Sequence, residues 1–312
     1  MTMARIVVAG VASLYVMAGI PGYPVEYTPG SPPLPGWMRA DVSGSGAHVA
    51  KVLNALGNEV RLCTLAGRDP AGLAVRADLR ASGLMGPGVV DAGATSLGVV
   101  LVAPDGSRVG FPYLASVNTV SYPAETFSRL ARGADLAVLT NARFTEPLLE
   151  CARRSSVPIA VDVHVISDVN DPRNRSWLEV ADVVFCSHER LPCPPEEWVA
   201  RIFARYPGCE VAGIGRGSDG AMLGLRDGTL VRAAGIAPRG VVSTDGAGDA
   251  LFASFLHGWL ATGNPAGALE AAVLHAGWKA GDPVPSSVAL TEAELARLSG
   301  TCRVRAAVGR WN

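Results

Sequence analysis

No two cysteines in this sequence stand in a CxxC pair, and the six that occur (Cys63, Cys151, Cys186, Cys193, Cys209 and Cys302) are scattered. Such spacing argues against both a zinc site and a disulfide framework, and it predicts reduced thiols in a cytoplasmic protein. No apolar run reaches the roughly 18 residues needed to span a bilayer, so no membrane partner is expected. The opening MTMARIVVAGVASLYVMAGIPG superficially fits a short secretory leader, but IVVAG reads better as a first buried strand turning at Gly10. A large net charge is also missing: 27 Lys and Arg against 28 Asp and Glu give −1. No field of one sign is available to hold a polyanion, so nucleic acid is not an expected partner. A local basic patch would still suffice for a small phosphorylated ligand. Internal repeats, low-complexity tracts and dense clusters of metal-ligating residues are absent as well.

What is present is apolar residue: 49% of 312 positions are hydrophobic and only 18% charged, ample for a large core. After strand 5–10, residues 19–42 are rich in Pro and Gly, too long and irregular for an ordinary connection, and predict a functional excursion such as a lid. Residues 46–57 have helical apolar spacing and stop on Gly57. A strand in NEVRLCTLAG and a helix after Asp69, with Pro70 at its first position, come next. The segment 96–114 (SLGVVLVAPDGSRVGFPYL) predicts a hairpin around Pro-Asp-Gly. From 134 onward strands (DLAVLT, VPIAVDVH, ADVVFCS, CEVAGIG) alternate with helices (EPLLECARRS, SWLEVA, PEEWVARIFARY). That alternation predicts a mainly parallel sheet with helices on both faces. Helices at 247–261, 265–280 and 291–299 close the pattern.

Chemistry concentrates in STDGAGDALFASFLHG, residues 243–258. Gly246, Ala247 and Gly248 leave their backbone N–H groups open, and the following helix adds partial positive charge, which together suit an anion. Asp249 would repel that anion unless its task is to accept a proton from a hydroxyl attacking a phosphate. The plainer alternative is an Asp near a helix start after a glycine turn. Gly215-Arg-Gly217-Ser-Asp-Gly220 spells G-x-G-x-x-G, but AMLGLRDGTL follows as paired strands where a dinucleotide fingerprint needs a helix. It reads as a tight loop at a nucleotide; a nicotinamide oxidoreductase would rest on this stretch alone. In Ser43-Gly44-Ser45-Gly46-Ala47-His48 a small-residue loop enters a helix, and His48 either faces a ligand or solvates the helix end.

Taken together, DGAGDALFASFLHG, SGSGAHVAKVLNALG, LAGRDPAG, SLGVVLVAPDGSRVGFPY and IGRGSDGAML resemble the motifs of the ribokinase-like (PfkB) carbohydrate kinase family across nearly the whole chain. The resemblance implies a three-layer α/β/α fold around a mostly parallel sheet, as one domain over 1–312 with lid segments near 11–42 and 96–115. It implies transfer of the γ-phosphoryl of ATP to a sugar or nucleoside hydroxyl, with Asp249 as general base and Gly246–Gly248 as anion hole. Mg2+ is implied as cofactor, with K+ a candidate activator, and homodimers through the β lid. By position, Gly215, Gly217, Gly220 and Asp245 fall at the nucleotide, with Asp227 and His275 in regions that border the adenine. Ser13, Tyr15, Gly44, Ser45, His48 and Asp162 fall at the acceptor, and Glu189 falls at the metal if the NxxE motif, here Ser187 to Arg190, shifts by one.

The departures gather at the acceptor end. Ser243 replaces the first Asp of the signature, and whether Asp245 covers for it stays open. Tyr15 stands where an Asp grips sugar hydroxyls, and His48 where an Asn contacts substrate. Flat groups in place of hydroxyl-gripping ones predict an acceptor with a ring, such as a nucleoside or modified sugar; otherwise Asp41 or Arg108 of the lid recovers the sugar contacts. The competing class is a non-catalytic kinase-like sensor of a sugar or nucleoside.

Overall fold

The computed structural model describes residues 3–27, 29–30, 33, 36–105, 108–282 and 289–311. Its first strand, β1 (Arg5–Ala9), explains the architecture. Ile6 and Val8 enter one hydrophobic core, and Val7 and Ala9 enter another. Successive side chains of a strand point to opposite faces, so an unbroken apolar run needs a cover on each side.

In chain order follow β2 (Ser13–Gly19), β3 (Met38–Ser43), α1 (Ser45–Ala55), β4 (Glu59–Ala66), α2 (Pro70–Ala81) and the short β5 (Val89–Asp91). Next come β6 (Leu97–Val102), β7 (Arg108–Tyr113), α3 (Ala124–Ala131), β8 (Leu136–Thr140) and α4 (Glu146–Arg154). The middle of the chain holds β9 (Ile159–Val165), α5 (Arg175–Val180), β10 (Val183–Ser187), α6 (Pro195–Arg205) and β11 (Val211–Gly215). Then β12 (Ala221–Leu225), β13 (Thr229–Ala233), α7 (Ala247–Thr262), α8 (Pro265–Ala280), α9 (Glu292–Thr301) and β14 (Ala306–Arg310) complete it.

The larger sheet runs β14-β13-β12-β11-β10-β9-β8-β1-β4-β5. It is parallel from β11 to β5, and β12, β13 and β14 add antiparallel strands at one edge. Residues of α1, α2, α7 and α8 fill the core on one face, and those of α3, α4, α5 and α6 the core on the other. This is the three-layer α/β/α arrangement that the alternating pattern predicts. The segments 11–42 and 96–115 supply a second sheet, ordered β3-β2-β6-β7. In it β2 and β6 are parallel and the other pairs antiparallel. The Gly of the predicted Pro-Asp-Gly turn, at position 106, lies outside the described residues.

Local chemistry sets the ends of the elements. Asp69 caps α2 by accepting from the Gly72 amide at 2.7 Å, with Pro70 at the first helical position. Helix α7 is apolar on every side because it is covered on every side: Ala250 through Leu256 are all buried. It can begin abruptly because Gly246 takes the left-handed conformation, φ 73°, where a side chain would be strained. Expectation and structure differ at α3 and β14, which the apolar pattern does not announce.

Candidate active site

The parallel strands β1, β8, β9, β10 and β11 end on one side of the molecule, and the candidate residues collect beyond those ends. Sheets of this kind bind ligands there. The start of α1 is pressed onto the end of β1: a β-carbon on Gly46 would fall 2.3 Å from the carbonyl carbon of Gly10. That contact, possible only between glycines, seats the first turn of α1 against α7. It brings His48 Nδ1 to 3.0 Å from Asp249 Oδ2. His48 Nε2 and Asp249 Oδ1 are both buried without a hydrogen-bond partner among the described residues. Ser13 Oγ and Thr140 Oγ1 are in the same condition, the former at the start of β2 and the latter at the end of β8. Unpaired buried polar atoms carry a desolvation cost, so their presence at these strand ends marks a place made for a polar ligand.

A second acidic residue joins from β9. Asp162, His164 and Asp249 each bring one oxygen or nitrogen within 4.8 Å of the others. The His164 amide donates to Asp162 Oδ1 at 2.8 Å, and its ring Nδ1 lies 3.5 Å from Asp162 Oδ2. His164 reaches this position through a left-handed backbone, φ 55°. Burial, and secondarily the charge of Asp249, raises the pKa of Asp162, while His164 pulls the other way. Burial opposes charge on His164, but Asp162 and Asp249 outweigh it and raise its pKa above the usual imidazole value. The trio is a compact cluster of titratable groups where β9 meets the start of α7. His164 is the member that sequence reading passed over. Its signal was a D-x-H at the end of an otherwise apolar strand.

From Asp162 and His164 a cavity of about 510 Å³ runs along the strand ends, within the usual range for a small-molecule site. Ala247 and Gly248 at the start of α7 line it, as do Gly215 at the end of β11 and Gly217 and Gly220 of the loop after it. Nothing lies within 4 Å of a β-carbon built on Gly248, so that backbone is open to the cavity. The Ala247 amide, by contrast, turns back to Thr244 O at 3.2 Å. The far wall is apolar, formed by Ile236 with Val273, Ala276, Gly277 and Ala280 of α8. Glu189 and Arg108 also border the space. Arg108, on β7, forms an ion pair with Asp245. Burial lowers the Arg108 pKa, partly offset by Glu189.

The smaller sheet turns one face to this cavity. In register, Tyr15 stands beside both Asp41 and Gly98, and Arg108 beside Val102 on the same side as Gly98. Tyr15 is half-buried with its ring packed on Gly98, and burial raises its pKa. Gly44 caps α1 and Ser45 opens it.

Neither His275 nor Asp227 lines the cavity, although Val273, Ala276 and Gly277 around His275 do. His275 is completely buried among the helices, its Nε2 accepting from the Leu290 amide at 3.0 Å and its Nδ1 2.8 Å from Ser254 Oγ. Asp227 caps the exposed β12–β13 turn, accepting from the Thr229 amide at 2.8 Å.

Residues 22–292 match the model of the pfkB family carbohydrate kinases. An ATP-dependent ribose-1-phosphate kinase from Halopiger xanaduensis is 31% identical over 237 residues, 75% of this chain and 78% of that protein. Among solved structures, a microbiome-derived acarbose kinase superposes with a TM-score of 0.85 at 22% identity, covering 96% of this chain and 100% of its own. A nucleoside kinase from Burkholderia thailandensis, in complex with inosine, gives 0.76 at 18% identity, with 96% and 99% covered. At these identities the structural likenesses speak for the fold.

Proposed function

The chain belongs to the pfkB family of carbohydrate kinases, and from that premise we propose that it moves the γ-phosphoryl group of ATP to a hydroxyl of a sugar, sugar phosphate or nucleoside, with Asp249 as the base. Membership makes it a phosphotransferase, a sugar or nucleoside kinase of an ATP-dependent kind. The observation that carries the finer reading is the meeting of the His48–Asp249 pair with Asp162 and His164, which line the cavity together with Gly248 at the start of α7.

An acceptor hydroxyl placed at Asp249 Oδ1 gives up its proton there. Its oxygen bonds to the γ-phosphorus as the bond to the β–γ bridging oxygen breaks, and ADP departs. Charge on the moving group is met by the open backbone at Gly248, next to Gly246 and Ala247, and by the positive end of α7. The loop of Gly215, Gly217 and Gly220 lets the nucleotide phosphates lie close to backbone, and the apolar wall of α8 takes the base. Asp162, with His164, faces the acceptor, as do Ser13, Tyr15, Gly44, Ser45 and His48. Asp245 holds Arg108 above the phosphates, tying the smaller sheet down as a lid that keeps water from the phosphoryl group. Mg2+, when bound, neutralises phosphate charge. Glu189, which lines the cavity, would hold it, with water completing the shell.

The relative of shared sequence acts on ribose 1-phosphate, which puts sugar phosphates first among acceptors to assay. ADP release is to be measured with ribose, ribose 1-phosphate, adenosine and inosine. Asp249→Asn is expected to lower turnover about a thousandfold, in the range of general-base loss, while ATP binding stays within a few-fold. Undiminished turnover in that variant removes Asp249 from the role, and ligand binding with no ADP release from the wild type favours a sensor.

A further inference from the structure

Asp162, His164 and Asp249 converge from β9 and α7, and each keeps a donor atom uncommitted. Asp162 is 6% exposed. Its Oδ1 accepts from the His164 amide, while Oδ2 makes no hydrogen bond among the described residues and stands 3.5 Å from His164 Nδ1. The half-exposed His164 ring makes no hydrogen bond among the described residues at either nitrogen. Asp249 meets His48 through Oδ2, and its Oδ1 is buried without a partner. Asp162 and His164 also line the cavity, so the cluster is reached from there.

We propose that these three residues form a binding site for one divalent ion of the zinc type, and that the ion, by taking the Asp249 carboxylate, inhibits the phosphoryl transfer inferred above. The second half of the proposal rests on the kinase reading; the first does not. One imidazole nitrogen and two carboxylate oxygens, with a fourth position open to the cavity, are a donor set that zinc accepts, and no cysteine takes part. The imidazole also selects the ion. Mg2+ prefers oxygen donors and keeps its water, so it stays with the phosphates, whereas Zn2+ and Co2+ take imidazole readily. Around a tetrahedral Zn2+ the donors stand roughly 3.4 Å apart, from bonds of about 2.0–2.2 Å. The three atoms already lie within 4.8 Å of one another, and rotation of the half-exposed His164 closes the remainder. The proton that His164 holds beside two carboxylates leaves to solvent as the ion binds. A carboxylate bound to Zn2+ is a poor base, so Asp249 then takes no proton from an acceptor.

Binding is measured first, on untagged, reduced protein at pH 8 without nucleotide, by calorimetry with Zn2+ and by the visible spectrum with Co2+. One ion in the micromolar range is expected, with the strong d–d bands of four-coordinate Co2+ and no thiolate absorption in the near ultraviolet. His164→Gln is expected to weaken Zn2+ by about a hundredfold, at least what losing a ligand's outer partner costs. No ion in that range, thiolate absorption, or a His164→Gln variant that binds as tightly as the wild type overturns the site. Should His164→Gln fold poorly, Asp162→Asn takes its place with the same two outcomes. Turnover is then followed at saturating Mg2+ and ATP with free Zn2+ fixed by a metal buffer, each protein compared with its own uninhibited rate. Zn2+ is expected to raise the wild type's apparent KM for the acceptor tenfold or more, leave the KM for ATP unchanged, and inhibit His164→Gln far less. Bound Zn2+ with unchanged turnover overturns the inhibitory half. Absence of ADP release with every acceptor sinks the kinase reading and that half together, while the binding result is decided on its own.

Discussion

His275, held neutral by burial, is expected to make the fold more sensitive to acid. Burial first, then Lys279 and His257, push its pKa down to about 4. In an unfolded chain the same group titrates near about 6.5. Between those values the unfolded state binds a proton that the folded state refuses, so His275 penalises folding increasingly as pH falls through this window. Above pH 6.5 the penalty is absent. Its full size is on the order of 3 kcal/mol, from roughly 1.4 kcal/mol per pH unit. Urea midpoints measured from pH 7 to pH 4.5 should fall for the wild type and fall less steeply for His275→Gln. Parallel curves would remove His275 as the cause. The same residue shows why position along a motif is not position in a site. On α8 the cavity-lining residues are Val273, Ala276, Gly277 and Ala280, a stripe at helical spacing. Residue 275 is turned off that stripe, toward Ser254 of α7.

The seat of α1 on β1 is the element-level device that brings His48 to Asp249. Adding one methyl in Gly46→Ala puts it 2.3 Å from Gly10 C and 2.6 Å from Gly10 O, backbone atoms that cannot rotate aside. Forced overpacking of this kind typically costs about 1–3 kcal/mol. The expected outcome is a lowered thermal midpoint and, at a temperature where the variant is fully folded, a tenfold or greater loss of kcat. Unchanged kcat would mean that α1 tolerates displacement. Helix α1 was legible from its apolar spacing and Gly57, and α7 and α8 from long apolar runs bounded by Gly246, Gly263 and Gly281. By contrast α3 is only eight residues long and follows Pro123 without a side-chain cap, which leaves its amphipathic spacing short, and β14 is exposed along four of its five positions, so it carries no strong pattern. Within the site, GAGD pointed to Asp249, whereas the cluster with His164 depends on strand pairing and a left-handed φ that no local motif records.

At the scale of the whole molecule, the smaller sheet has two unlike faces. One face carries Tyr15, Asp41 and Arg108, of which Arg108 lines the cavity. On the opposite face the β6–β7 register pairs Leu97 with Tyr113, Val99 with Phe111 and Leu101 with Val109. Phe111 and Tyr113 are 58% and 63% exposed, an apolar ladder in water. Contiguous exposed apolar surface commonly marks an association site, and two-fold pairing lets one patch cover its own copy. The ladder supports the homodimer through the lid that we propose for this kinase. Sedimentation at micromolar concentration is expected to give a dimer for the wild type and a monomer for Phe111→Asp, with the same far-ultraviolet circular dichroism. A monomeric wild type, or a variant that stays dimeric, would rule out this face as the interface. Because Arg108 on the same hairpin is bound to Asp245 beside the start of α7, releasing the dimer should loosen the lid. The Phe111→Asp monomer is therefore expected to hydrolyse ATP without acceptor several-fold faster than the wild type, an effect that a change confined to the surface would not produce.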